Sequence, residues 1–187
     1  QFTTAIDNGL NDKEFEDAYY YRARSYHLLS RSDPPSSDQA ILYYGAYLKQ
    51  YPAGRWHDDA AYYLLSMKSA TGSNVQRIAS LKDFAASYPA SRHNVEVLLS
   101  IGKAYLAGEN FSEAATTFAS ITNKYPGTAE AYYLLGTTYE KQQPDSALIS
   151  WGKAAEVTPV SAWTARALHS LMQHSQAHKN YSRAVAC

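Results

Sequence analysis

An all-α fold, a right-handed α-solenoid of antiparallel helix pairs, is the architecture this sequence predicts, and three observations predict it. The dipeptide Tyr-Pro closes a stretch of helical periodicity at Tyr51-Pro52, Tyr88-Pro89 and Tyr125-Pro126, at two equal intervals of 37 residues. A fourth stop, Thr158-Pro159, follows 33 residues later. A period of this size marks a stacked-repeat architecture, in which no unit buries its apolar face alone. Hydrophobic residues make up 45% of the 187-residue chain and aromatics 13%, enough to build a core and too much for disorder. The chain therefore reads as one solenoid, with repeats at about 17–52, 58–89, 95–126 and 129–159 and a partial fifth at 161–187.

The first unit offers Tyr19, Ala23 and Tyr26, then Ala40, Tyr44, Tyr47 and Pro52. Between its helices Ser32-Asp33-Pro34-Pro35-Ser36-Ser37-Asp38 reads as a lengthened loop, since its prolines cannot sit in helix interiors. Arg22 falls where an apolar residue is expected, which predicts partial exposure there. In the second unit Tyr62, Leu65 and Ser66 stand for the first helix, and Leu81, Phe84 and Pro89 for the second, with a longer turn at Thr71-Gly72-Ser73-Asn74. The third unit is the clearest. Leu98, Ile101 and Tyr105 share a helical stripe interrupted by Gly102, the turn Ala107-Gly108-Glu109-Asn110 breaks it, and Ala114, Phe118 and Ile121 follow at helical spacing up to Pro126. A mid-helix glycine costs about 1 kcal/mol against alanine, so Gly102 predicts close approach of a neighbouring helix. The fourth unit repeats the scheme with Tyr132, Leu135, Gly136, Tyr139, Ala147, Trp151 and Pro159. In the fifth, Asn180-Tyr181-Ser182-Arg183-Ala184-Val185 echoes Asn110-Phe111-Ser112-Glu113-Ala114-Ala115 and predicts the start of a second helix. That helix is barely begun at Cys187, which points to a longer natural chain or to an end covered by another chain.

Leu98, Ile101, Gly102, Tyr105, Ala114, Phe118 and Pro126 follow the pattern W-x-x-L-G-x-x-Y, A-x-x-x-F, P, and here the chain resembles the tetratricopeptide repeat family. The small residue after each Tyr-Pro, as in Tyr88-Pro89-Ala90-Ser91, together with Ala131-Tyr132-Tyr133-Leu134-Leu135-Gly136, is similar to the tetratricopeptide proteins of bacterial cell envelopes. The resemblance implies a periplasmic, outer-membrane-associated or extracellular setting and a non-catalytic scaffold that binds a peptide or protein segment in a concave groove. The groove-lining positions lie three before, one after and four after each small packing residue. They are Tyr20, Arg24 and His27; Tyr63, Met67 and Ala70; Leu99, Lys103 and Leu106; and Tyr133, Thr137 and Glu140. A peptide-binding groove of Tyr20, Arg24, Tyr63, Met67, Lys103, Tyr133 and Thr137 gives a ladder of amphipathic anchors. Packing of the same tyrosines between helices is the equal alternative.

Other classes of function find little support. Seventeen Lys+Arg balance seventeen Asp+Glu, without the basic excess of a nucleic-acid binder. No apolar run approaches the roughly 18 residues of a transmembrane segment, and Gln1-Phe2-Thr3-Thr4 lacks the basic and apolar regions of a signal peptide. Cys187 is the lone cysteine. His169, His174 and His178 cluster near the end, yet read as solvated rather than as metal ligands. His57-Asp58-Asp59 reads as acidic capping of a helix start. Asn110 and Asn180 stand in formal glycosylation acceptors, but a role at helix ends is simpler. No phosphate loop, nucleophile elbow, metal signature or acid pair is present, so neither enzyme activity nor a cofactor is expected. The rival reading is a structural protein assembling head to tail into a filament or ring, through Phe2 and Ile6 at one open end and Tyr181 and Val185 at the other.

Overall fold

The computed structural model describes residues 15–68 and 73–185, with side chains as far as residue 177. The described residues form nine α-helices and no strand: α1 Glu16–Leu29, α2 Ser36–Gln50, α3 His57–Lys68, α4 Asn74–Ser87, α5 Asn94–Ala107, α6 Phe111–Lys124, α7 Ala129–Tyr139, α8 Pro144–Glu156 and α9 Ala162–Val185. The fold is all-α. Two compact units divide it between Asn94 and Val95.

Each Tyr-Pro works as a helix stop with the same backbone geometry. Tyr51, Tyr88 and Tyr125 cap α2, α4 and α6 with φ, ψ of −125, 69; −128, 59; and −132, 69. A proline excludes the preceding residue from the α region, which fixes this conformation. Each tyrosine N–H still donates back to the carbonyl four residues earlier. Starts are equally local. Ser73 and Gln76 form a capping box at α4, and Ser161 and Thr164 exchange the same pair of bonds at α9. Asn110 occupies the N-cap of α6, although its side chain makes no capping bond. The turn before it is closed by Glu109 in the left-handed region, at φ 58.

In the first unit the core gathers Tyr20, Ala23, Ala40, Tyr44, Tyr47 and Ala60. In the second, Phe118 and Ile121 of α6 pack with Leu99, Leu134 and Leu135, and Trp151 of α8 packs with Ala147, Ala154 and Ala167. The close approach predicted at Gly102 is present and recurs at Gly136. A Cβ at Gly102 would lie 2.5 Å from Phe118 Cε1, and one at Gly136 would lie 2.5 Å from Trp151 Cδ1.

The structure corrects four expectations. Arg22 is buried rather than exposed, because its guanidinium lies 4.0 Å over the Tyr43 ring, where the flat cation is shielded by aromatic faces. The long loop is shorter than predicted. Pro35 is already the N-cap of α2, and Ser36–Asp38 form its first turn. No second helix starts at Asn180: α9 runs unbroken for 24 residues. The stretch before Asn110 has Gly108 and a left-handed Glu109 to break it, whereas Ala177-His178-Lys179 holds neither glycine nor proline. Finally, the register of the second repeat shifts by one. Ala18, Val97 and Ala131 are buried five residues before Ala23, Gly102 and Gly136, and the matching residue in α3 is Ala60, five before Leu65 rather than Ser66.

Candidate peptide-binding surface

Tyr20 is buried at 4% exposure and lies flat on Trp56, with centroids 4.9 Å apart and planes 8° off parallel. Burial, and after it the Asp59 carboxylate, pushes its hydroxyl up to about 12. Its ring belongs to the core of the first unit. The shift of register puts Tyr62 in the place equivalent to Tyr20, and Tyr62 stacks on His93 at 3.9 Å and 4°.

Arg24, His27, Tyr63 and Met67 are half-buried neighbours in the first unit. The Arg24 guanidinium sits 4.1 Å over the Tyr63 ring, while Tyr63 stacks on Tyr44 and meets His27 edge-on at 5.3 Å. His27 Nδ1 is 3.2 Å from the Tyr44 hydroxyl. Burial, and then the charge of Arg24, holds the His27 imidazole below its ordinary range. Met67 packs against the same aromatic cluster, and Ala70 lies outside the described residues. This is a rigid patch of rings with one cation on it.

In the second unit the exposed Lys103 ammonium pairs with Glu130 of α7 and stands 5.9 Å from the Trp163 ring of α9. Tyr133 meets Trp163 at 5.6 Å, and the Arg166 guanidinium covers that indole at 4.5 Å. Thr137 spends its hydroxyl on the Tyr133 carbonyl at 3.1 Å. Leu99 is buried, Leu106 half-buried and Glu140 exposed. Three helices, α5, α7 and α9, thus bring Lys103, Tyr133, Trp163 and Arg166 together.

Sequence reasoning missed several residues that matter here. Asp58 and Asp59 lie in the first turn of α3, as the sequence predicts, but Asp59 is also buried and accepts from Arg92 Nε at 2.9 Å, Arg92 Nη2 at 2.7 Å and His93 Nε2 at 2.6 Å. Asp17 makes the equivalent fork with Arg55 and also accepts from Trp56 Nε1 at 2.7 Å. The Trp56 bond, followed by Arg55, holds the Asp17 carboxyl below its ordinary range. The signal was present as Asp-x-x-Tyr at Asp17 and Asp59, answered by Arg55-Trp56 and Arg92-His93 three residues after each proline. His57 Nδ1 lies 2.9 Å from the Tyr88 hydroxyl, so its partner is the next Tyr-Pro. Arg77 of α4 was also overlooked.

His169 is exposed and His174 half-buried, and no group of three metal-capable residues occurs among the described residues. The side chains of Phe2, Ile6, His178, Tyr181, Val185 and Cys187 lie outside them. No described helix is long and apolar enough to cross a membrane.

The tetratricopeptide repeat family model matches residues 96–128, which is the third repeat. No curated protein matches the chain. Among solved structures, MamA residues 41 to the end, from Desulfovibrio magneticus RS-1, superpose with a TM-score of 0.58 at 17% identity, over 87% of this chain and 90% of that one. A second MamA structure gives 0.62 at 22% identity, over 91% of this chain and 86% of that one. YrrB, described as a TPR protein with an unusual peptide-binding site, gives 0.52 at 22% identity, over 90% of this chain and 96% of that one. The chain has the tetratricopeptide-repeat fold and carries, at residues 96–128, a tetratricopeptide repeat.

Proposed function

We propose that this chain is a non-catalytic protein-interaction scaffold that binds an extended or helical protein segment on its first-of-pair helices. The observation that carries the reading is the arrangement of half-exposed rings and cations on those helices: Arg24 over Tyr63 in one unit, and Lys103 and Arg166 around Trp163 and Tyr133 in the other. Rings held by neighbouring rings lose little entropy on contact, and tyrosine, tryptophan and arginine dominate binding hot spots. The cations favour a segment bearing carboxylates. Support from likeness is limited to the fold, which YrrB shares.

Peptides selected from a random display library on the folded chain give the test. Replacing Tyr63 and Tyr133 by alanine should weaken their binding by about 2 kcal/mol or more, with helicity unchanged. Peptides that bind both variants as well as the wild type overturn this reading. The bacterial-envelope setting rests on the Tyr-Pro-x-Ser resemblance alone, and fractionation of the native cells checks it. For head-to-tail assembly, the observation in favour is a pair of exposed apolar residues one turn apart on α9, Leu168 and Met172. A concentration-independent monomer in light scattering would rule that alternative out.

A further inference from the structure

In three of the four repeats, two positions are small where the two helices cross closely. On the first helices they are Ala23, Gly102 and Gly136, and on the second helices Ala40, Ala114 and Ala147, which are 0%, 0% and 1% exposed. The second repeat breaks the rule at both places. Leu65 stands at the first, and Arg77 stands at the second, 37 residues after Ala40 and 37 before Ala114. Two long side chains at a crossing point wedge it open, and α3 and α4 touch along a much shorter stretch than α1 and α2.

Between α3 and α4 lies an open apolar cleft of about 300 Å³, walled by Leu48, Ala61, Leu64 and Leu65, with Arg77 and Lys68 also lining it. Its size falls at the lower end of the roughly 300–1,000 Å³ of small-ligand pockets. The Nε of Arg77 is covered from solvent and has no hydrogen-bond acceptor among the described residues. A buried donor of a charged group without an acceptor is costly, and native structures nearly always supply one. The guanidinium fork is built to take a carboxylate.

We propose that this cleft binds an aliphatic carboxylate, with its hydrocarbon part against the leucine wall and its carboxylate accepting from Arg77. The site is separate from the ring-and-cation faces described above. A free acyl carboxylate and the C-terminal residue of a leucine-ended peptide share this chemistry, so both serve as probes.

Octanoate, octanol, acetyl-Leu-Leu with a free carboxylate and its amide are titrated into the isotope-labelled chain, following the signals of Ala61, Leu64 and Leu65. At least one carboxylate should saturate these signals, binding at least tenfold more tightly than its uncharged analogue. Octanoate alone would identify the source as a free acyl chain, and the dipeptide alone as a chain terminus. Arg77→Met keeps the length of the side chain, removes its charge, and should cost tenfold or more. Arg77→Ala installs the residue that the other three repeats carry, so it folds, and it should lose the site as well. Circular dichroism and melting confirm both folds. The proposal is overturned if neither carboxylate shifts these signals at millimolar concentration, or if Arg77→Met binds as the wild type does.

Discussion

In the first unit Asp17 forks onto Arg55 while Tyr20 stacks on Trp56, and Asp59, Arg92, Tyr62 and His93 take the same four roles one repeat later. In the second unit the ring pair recurs between Tyr133 and Trp163, tilted at 40° rather than stacked flat, but the fork does not: Ala162 stands where Arg55 and Arg92 do, and Glu130 pairs with Lys103 instead. In the third repeat Glu96 is exposed and Leu99 replaces the tyrosine. Cohesion in this unit also comes from Phe118 and Trp151 pressed onto bare glycine backbone. Both solutions lock a helix pair into an array. One adds polar and aromatic groups at the entrance of the next helix, and the other removes a side chain at the crossing. The family pattern is written in glycine, alanine and aromatic residues, and the repeat that the family model matches, at residues 96–128, is one of the two built on a glycine crossing.

The contrast can be broken at its strongest points first. Asp59→Ala strips a buried carboxylate from two partners and should cost roughly 2–3 kcal/mol in denaturant unfolding, the range for hydrogen bonds to charged groups with a partner left stranded. Asp17→Ala, on the more exposed of the two forks, should cost clearly less; an equal loss would show that burial does not separate them.

Next comes the glycine contact. Gly102→Ala forces a methyl group against a fully buried Phe118 ring and should destabilise by about 1–2 kcal/mol, overpacking exceeding the gain in helix propensity. Gly45→Ala in α2, where a Cβ meets nothing within 4 Å, should be neutral or stabilise by up to about 1 kcal/mol. Matching signs for the two would show that the Phe118 contact does not set the cost of filling Gly102.

The smallest effect concerns pH. His27 is held below its unfolded value of 6.5 by burial and Arg24, so the folded state resists its protonation. The stability it contributes is present above pH 6.5 and is lost as pH falls through the lower folded value. Unfolding midpoints should therefore decline from pH 7 toward pH 5, and His27→Gln should flatten that slope. A steeper slope in the variant would contradict the assignment.

Much of the fold was legible because its determinants are local. Proline dictates the conformation of the residue before it, and a glycine inside a helix advertises a neighbour; both signals survive in one sequence. Arg22, Asp59 and Trp56 were not legible, because their roles depend on partners up to 39 residues away. The one-residue shift in α3 was hidden because Tyr62-Tyr63 and Leu64-Leu65 are doublets that fit either register. The helix break expected at Asn180 failed because similarity to a helix start carries no information without a breaker before it. The tyrosine ladder was half legible. The sequence marks the face of the helix, but only packing decides that Tyr20 turns inward and that Tyr63 keeps an edge for Arg24.

The open crossing of α3 and α4 also has a kinetic meaning. In a linear array, cooperativity passes only from neighbour to neighbour, so the weakest junction determines where the chain first comes apart. The short contact between α3 and α4 makes theirs a weak junction, and the amides of α4 should exchange with deuterium ahead of those in α2. A ligand seated in the cleft would slow that exchange, turning a fault line of the array into a place where occupancy is reported as rigidity.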